Sequence, residues 1–291
     1  MAKNIIFILT EGEHDTAFIY RILKAHGVST NHTILKDYPF PLNELFKNDL
    51  SSIPLEDLNI EVARSRFLPS RVMQKDENIL SIYQMGGDAQ RQKRIDFIKL
   101  INTFNTSDPD EIQAIKDVDI SLLFFLDADN RGVDRRIEEI KDELKESFPE
   151  SEIENIEKLT NKDIILVEDI NIGGFIFTEA EEDEGLLEDI LIPLMKLGNE
   201  DIFEKAEEFL GIHKNTNLFK NGITNEVGKD KRVNKKKYSH KKSLVGTVGQ
   251  LQMSGKSNTV CISDADYLNN DKIKSNAICS DIYGFVKKVL K

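Results

Sequence analysis

Glu11 and Asp15 in the run EGEHD, with Asp127 and Asp129 in the run DADN, are the residues whose types and spacing could do chemistry. Each run ends a short apolar stretch, Ile5–Leu9 before the first and Leu122–Leu126 before the second. Stretches so rich in Ile, Leu and Phe read as strands of a parallel sheet buried on both faces. Ligands of such sheets bind just beyond the carboxyl ends of the strands. Neither run contains a basic residue, so carboxylates gathered there repel one another unless a hard divalent cation neutralises them. A magnesium site, and with it phosphate chemistry, is the expectation.

The four acids do not carry equal weight. Asp127 and Asp129 lie two apart on an extended chain and point to the same side, where both can reach one cation. Asp129 could instead cap the following helix, which leaves Asp127 without a partner. Thr10-Glu11-Gly12-Glu13 fits a capping box, making Glu13 structural, and Asp15 could be an ordinary first-turn acid. Glu11 is not used by that box, and Gly12 allows a tight turn that exposes it. A second DAD, Asp264 to Asp266, follows a shorter apolar run and reads as the cap of a helix near Leu268.

The elements that must position these residues alternate. A strand over Asn4 to Leu9 leads into a helix over Asp15 to Ala25, closed at His26-Gly27. Val28 to Asn78 holds four of the seven prolines and reads as an insertion, with Leu45, Phe46, Leu50, Leu55 and Leu58 as its apolar surface. A strand over Ile79 to Met85 ends in Gly86-Gly87-Asp88; the helix after it carries Ile95, Ile98, Leu100 and Ile101. Further strands are expected at Ile120 to Leu126 and Asp163 to Val167, with a helix from Arg131 to about Glu146 between them. This alternation predicts an α/β fold, a parallel sheet flanked by helices with an insertion at about 28–77. Past Phe177 come an acidic run, Glu179 to Glu184, and helical segments at Leu186–Leu197, Glu200–Leu210 and Ser280–Leu290. Residues 1–180 are thus read as the α/β domain and 181–291 as a mainly helical C-terminal subdomain.

At 291 residues, with 40% hydrophobic and 31% charged, the chain can bury a core. No stretch is apolar enough to span a membrane, and a soluble, cytoplasmic protein with no membrane partner is expected. Cys261 and Cys279 are too few for a disulfide framework, and the five scattered histidines argue against zinc. A net charge of −12 argues against a protein that coats nucleic acid non-specifically. Against that background Lys229 to Lys242 stands out. Lys229, Lys231, Arg232, Lys235, Lys236, Lys237, Lys241 and Lys242 are candidates for binding a phosphate backbone. Arg64, Arg66, Arg71, Arg91, Lys93 and Arg94 form a second basic source.

Taken in order, these features resemble the Toprim family, the metal-binding domain shared by topoisomerases, primases and OLD-type nucleases. The family's EGxxD motif corresponds to Glu11-Gly12-Glu13-His14-Asp15 and its DxD motif to Asp127-Ala128-Asp129, with Gly86-Gly87 similar to a glycine pair after the second strand. Gly173 to Leu191 is similar to a segment of an uncharacterised Toprim-like family, DUF3226. The resemblance implies Glu11 as general acid or base, Asp127 and Asp129 as ligands of Mg²⁺ (or Mn²⁺), and Asp15 as a further ligand. It implies a nuclease acting on DNA or RNA, in bacterial defence, as a homodimer or with a protein partner such as an ATPase of the same system. No tyrosine is placed like a topoisomerase nucleophile, and a primase's zinc-binding and polymerising modules are missing, which favours a small nuclease. The rival expectations are a non-catalytic nucleotide- or nucleic-acid-binding regulator, a toxin sequestered by a partner, and a hydrolase of small phosphoesters.

Overall fold

The computed structural model describes residues 4–34, 37–39, 41–51, 68–105, 118–179, 182–213 and 239–291. Its centre is a sheet whose two inner strands are the two apolar runs. β1 (Asn4–Thr10) is buried along its whole length. Alternate side chains feed opposite faces: Ile6 and Ile8 enter one hydrophobic cluster, Ile5, Phe7 and Leu9 the other. β5 (Asp119–Asp127) does the same, with Leu123 and Phe125 on one side and Leu122, Phe124 and Leu126 on the other. Burial on both faces is why neither run shows an alternating pattern.

Seven strands take part, in the order β2-β3-β4-β1-β5-β7-β6. β4 (Asn78–Gln84), β1, β5 and β7 (Ile170–Phe177) are parallel. Antiparallel strands extend both flanks: β3 (Arg71–Lys75) and β2 (Ser29–Thr30) beside β4, and β6 (Ile164–Val167) beside β7. The sheet is therefore mixed around a parallel core. The expected insertion contributes β2 and β3 to it. The strand expected at Asp163 to Val167 is the antiparallel edge, turned back by Glu168 and Asp169, both at positive φ. Its partner β7 is the strand that pairs with β5.

Helices cover the two faces unequally. α1 (Glu13–Ala25) lies on one face and α2 (Leu42–Ser51) on the other, where Leu45 and Phe46 are buried. Leu55 and Leu58 lie outside the described residues. α3 (Arg91–Asn105), α4 (Val133–Lys145) and α5 (Ile153–Glu157) share the face of α2. The C-terminal helices join α1: α6 (Leu187–Lys196), α7 (Glu200–His213), α8 (His240–Gln252), α9 (Asn258–Asp264), α10 (Asn270–Ser275) and α11 (Ala277–Lys287). The buried Arg21 of α1 ties them in, donating to the carbonyls of Leu268 at 2.8 Å and Ser263 at 3.0 Å. Among the described residues no helix is long and apolar enough to cross a membrane.

One consequence of the topology positions the site. The chain leaves β1 through α1 on one face, but leaves the adjacent β5 through α4 on the opposite face. Neighbouring strands whose connections diverge leave a crevice at their carboxyl ends. Glu11 follows β1 directly, and Asp127 is the last residue of β5.

Candidate active site

At the β1 edge the first turn of α1 differs from the expected capping box. The helix starts after Gly12, whose N–H donates to Asp15 Oδ2 at 2.6 Å. Asp15, not Glu13, closes the turn; Glu13 instead accepts from the Thr259 hydroxyl at 3.1 Å. The Thr10 hydroxyl is taken by that of Thr16 at 2.7 Å. Glu11, outside this arrangement, projects towards the glycine loop after β4. A Cβ on Gly87 would lie 3.4 Å from Glu11 Oε2. That loop is held by buried Arg94, which donates to the Gly86 and Gly87 carbonyls at 2.9 Å and forks onto Glu143.

At the β5 edge the Asp127 carboxylate accepts from the Leu187 N–H at 2.7 Å, so it receives the first turn of α6. Asp129 sits at φ +52 and exchanges backbone hydrogen bonds with Gly185 at 2.8 and 2.9 Å. It does not cap α4. That role falls to Asp183, which accepts from the Val133 N–H at 3.0 Å. The acidic run before α6 thus folds back onto the DADN loop. Gly185 makes this possible: at φ +144, a Cβ there would lie 2.2 Å from the Glu179 backbone nitrogen. Gly185→Ala is expected to cost on the order of 1–3 kcal/mol and to release the Asp129 amide. A thermal melt together with loss of exchange protection at that amide checks this.

A residue that sequence reasoning missed joins the two edges. The Arg136 guanidinium on α4 has a side chain only 3% exposed. Nη2 donates to Glu11 Oε1 at 2.6 Å and to Asp129 Oδ2 at 2.9 Å, Nε to the Asp127 carbonyl at 2.6 Å, and Nη1 to Glu139 at 3.0 Å. The premise that no cation lies among the acids therefore fails. It arrives from the next helix, seven residues beyond Asp129. Its only sequence signal is helical phase, since Arg136 shares a face with Ile140, one turn on, which is buried.

The remaining candidates separate. Lys241 and Lys242 open α8 and reach the site's rim: Lys241 pairs with Asp189, and Lys242 lies 3.9 Å from Glu188. Buried Glu188 also meets His14 Nδ1 at 3.1 Å. Lys229, Lys231, Arg232, Lys235, Lys236 and Lys237 lie outside the described residues, as do Arg64 and Arg66. Arg91 is paired with Glu146 at 2.6 Å. The second DAD is remote and does not cap: Asp264 faces Lys24 at 3.6 Å, and Asn269 caps α10. Beside Asp129 a cavity of about 570 Å³ is walled mainly by Glu179, Glu182, Glu184, Asp189 and Lys241.

The family model for DUF3226, described as a protein of unknown function, matches residues 6–280. The chain belongs to the DUF3226 family. Among solved structures, a hypothetical protein from Pyrococcus horikoshii OT3, PH0156, aligns over 98% of this chain and 95% of its own. The two are 15% identical, with a TM-score of 0.49. No curated protein matches the chain.

Electrostatics sort the acids of this DUF3226 chain into two pairs. Glu11 and Asp129 share the Arg136 charge. Among the described residues no arginine or lysine pairs with Asp15 or Asp127. Burial, then the charges of Asp15 and Glu11, push Asp127 up to about 8. Burial raises Asp15 to about 7, partly offset by the Gly12 N–H, with Glu11 and Glu188 adding to the rise. Burial also acts to raise Glu188, but His14 and Lys242 outweigh it and hold that carboxyl below its ordinary value.

Among the described residues, no three His, Cys, Asp or Glu side chains converge as they stand into a set that could hold a metal ion. Mg²⁺ needs no such cage, since one or two carboxylates with waters and a substrate phosphate commonly suffice. The fit is thus with Asp15 and Asp127, hard oxygen donors whose mutual repulsion a cation would relieve. Asp129, committed to Arg136, fits less well.

Proposed function

We propose that this DUF3226 chain is a Mg²⁺-dependent nuclease of the Toprim type, cutting phosphodiester bonds of DNA or RNA. The observation that carries the reading is the electrostatically coupled pair of buried Asp15 and half-buried Asp127, beside Glu11, in the crevice between β1 and β5. In this reading Asp15 and Asp127 hold the metal, with Asp129 able to join only by parting from Arg136. Bound there, a divalent cation would polarise the scissile phosphate and offset charge on its oxygens. Glu11 handles a proton at the reacting oxygen, and the Arg136 bond at 2.6 Å fixes where its carboxylate points. Arg136 already has four protein acceptors, so it acts as a positioning residue rather than as a contact to substrate. Lys241 and Lys242, at the rim, are the described end of the basic run, whose charge supplies the attraction for a phosphate backbone.

The test is cleavage of plasmid, single-stranded DNA and tRNA with Mg²⁺ or Mn²⁺. Glu11→Gln and Asp127→Asn are each expected to lower the rate by at least about a hundredfold, within the range general acid–base residues contribute. Variants that cut as well as the parent chain would end the site assignment. Nucleic acid that binds but is never cut under any metal would favour the rival reading of a non-catalytic regulator.

A further inference from the structure

A second cavity, of about 360 Å³, opens on the other side of the α1 N-terminus, between α1, the β3–β4 hairpin and α9. Ala17 and Val260 are its only apolar lining among the described residues; the rest are hydroxyls, one amide, one carboxylate and one guanidinium. Its size falls within the range of small-molecule sites, but its polar walls would not recognise an apolar body.

One feature needs a ligand to make sense of it, and a second, the exposed Arg71, is suited to hold one. Ser263 lines the cavity and is fully buried, yet its hydroxyl has no hydrogen-bond partner. A buried polar group left so is costly unless something completes it. Arg71, on the same wall, lies over the Tyr20 ring at 5.1 Å, and no carboxylate pairs with it among the described residues. Arg91 and Arg94, by contrast, are each matched to a glutamate. An unmatched guanidinium fork suits a phosphate. Across the cavity, Glu13 and Gln84 offer an acceptor and an amide to sugar hydroxyls. Among the described residues no aromatic side chain lines the cavity to stack on a base.

We propose that this cavity binds the sugar-phosphate part of a nucleotide, Arg71 taking the phosphate and Ser263, Glu13 and Gln84 the sugar. The ligand is a free nucleotide or sugar phosphate, or one unit of a nucleic-acid strand. Binding here goes beyond the proposed nuclease activity and needs neither the metal nor Glu11. The β1–β4 register, which sets Gln84 opposite Thr10, puts the cavity one strand over from Glu11 on the same sheet edge.

Calorimetric titration in EDTA tests it, with ribose 5-phosphate, AMP and a short oligothymidylate as probes. Ribose 5-phosphate and AMP are expected to bind alike, because the base is not read. Arg71→Gln should weaken each about tenfold or more, and Ser263→Ala about fivefold without lowering the melting temperature. Tighter binding of the oligothymidylate than of ribose 5-phosphate, with the same Arg71 dependence, identifies the strand as the ligand; the reverse order identifies the free phosphate. The proposal is overturned if no probe binds the parent chain, or if binding is unchanged in both variants. Because no metal is present and no cleavage is measured, failure of the nuclease reading leaves this result untouched, and the converse holds.

Discussion

Replacing Arg136 with methionine is expected to destabilise the metal-free fold by about 3–5 kcal/mol at neutral pH, the cost of stripping the partner from a buried charge. The guanidinium and the Glu11 carboxylate are both well shielded, with side-chain exposures of 3% and 17%. Methionine fills similar volume but leaves Glu11 uncompensated beside Asp15 and Asp127. It also orphans the Asp127 carbonyl, which Arg136 satisfies at 2.6 Å. Asp129 adds less, because at 38% exposure water screens its pairing. Arg136→Lys should recover only part of the loss, since one ammonium cannot serve four acceptors spread around a planar fork. Urea denaturation of the three proteins measures this. A methionine variant within about 1 kcal/mol of the parent, a typical exposed-pair value, would show that Arg136 does not hold the two edges together.

Stability of the metal-free protein should fall as pH rises from about 4 to about 8. Unfolded aspartates ionise near 3.8, whereas folded Asp127 and Asp15 keep their protons to about 8 and about 7. Between those limits the folded chain holds protons that the unfolded chain has released, so each rise in pH favours unfolding. The contribution is fully present below the unfolded value and is lost once pH passes the folded one. Asp127→Asn removes the larger of the two effects. The asparagine carbonyl can still accept the Leu187 N–H, so α6 keeps its start. At pH 8 this variant should be more stable than its parent by at least about 1.4 kcal/mol, the equivalent of a single pK unit. It should also be inactive in the cleavage assay. Gain of stability with loss of activity is the behaviour of a group retained for function. Denaturation midpoints measured at several pH values decide the matter: a parent midpoint flat across this window would refute the coupling of Asp15 with Asp127.

Much of the scaffold was legible because burial on both faces leaves a plain signature. Ile5–Leu9 and Leu122–Leu126 could be little else than inner strands, and acids at their ends could only meet at one sheet edge. β7 was harder, because Gly173 and Gly174 lower its strand propensity. β3 buries only Met73 of its five residues, too little apolar pattern to stand out in a proline-rich neighbourhood. The capping error had a local cause. Thr10-x-x-Glu13 and Gly12-x-x-Asp15 both fit a helix start, and the backbone of Gly12 chose the second. What the local sequence could not contain was the long-range pairing: Arg136 with Glu11, Asp183 with Val133, Glu188 with His14. Each joins segments brought together by the sheet rather than by spacing along the chain.

The double hydrogen bond between Asp129 and Gly185 closes two loops into one mechanical unit at the mouth of the crevice. Their amides should exchange with solvent at a common rate, as members of a single cooperative opening. The Asp127 carboxylate anchors the same unit through the Leu187 N–H. Whatever ion or ligand draws on that carboxylate therefore competes with the first turn of α6, and through Asp189 and Glu188 with the lysines of α8. Occupancy of the crevice would thus be reported in the amide exchange rates of α6 and α8.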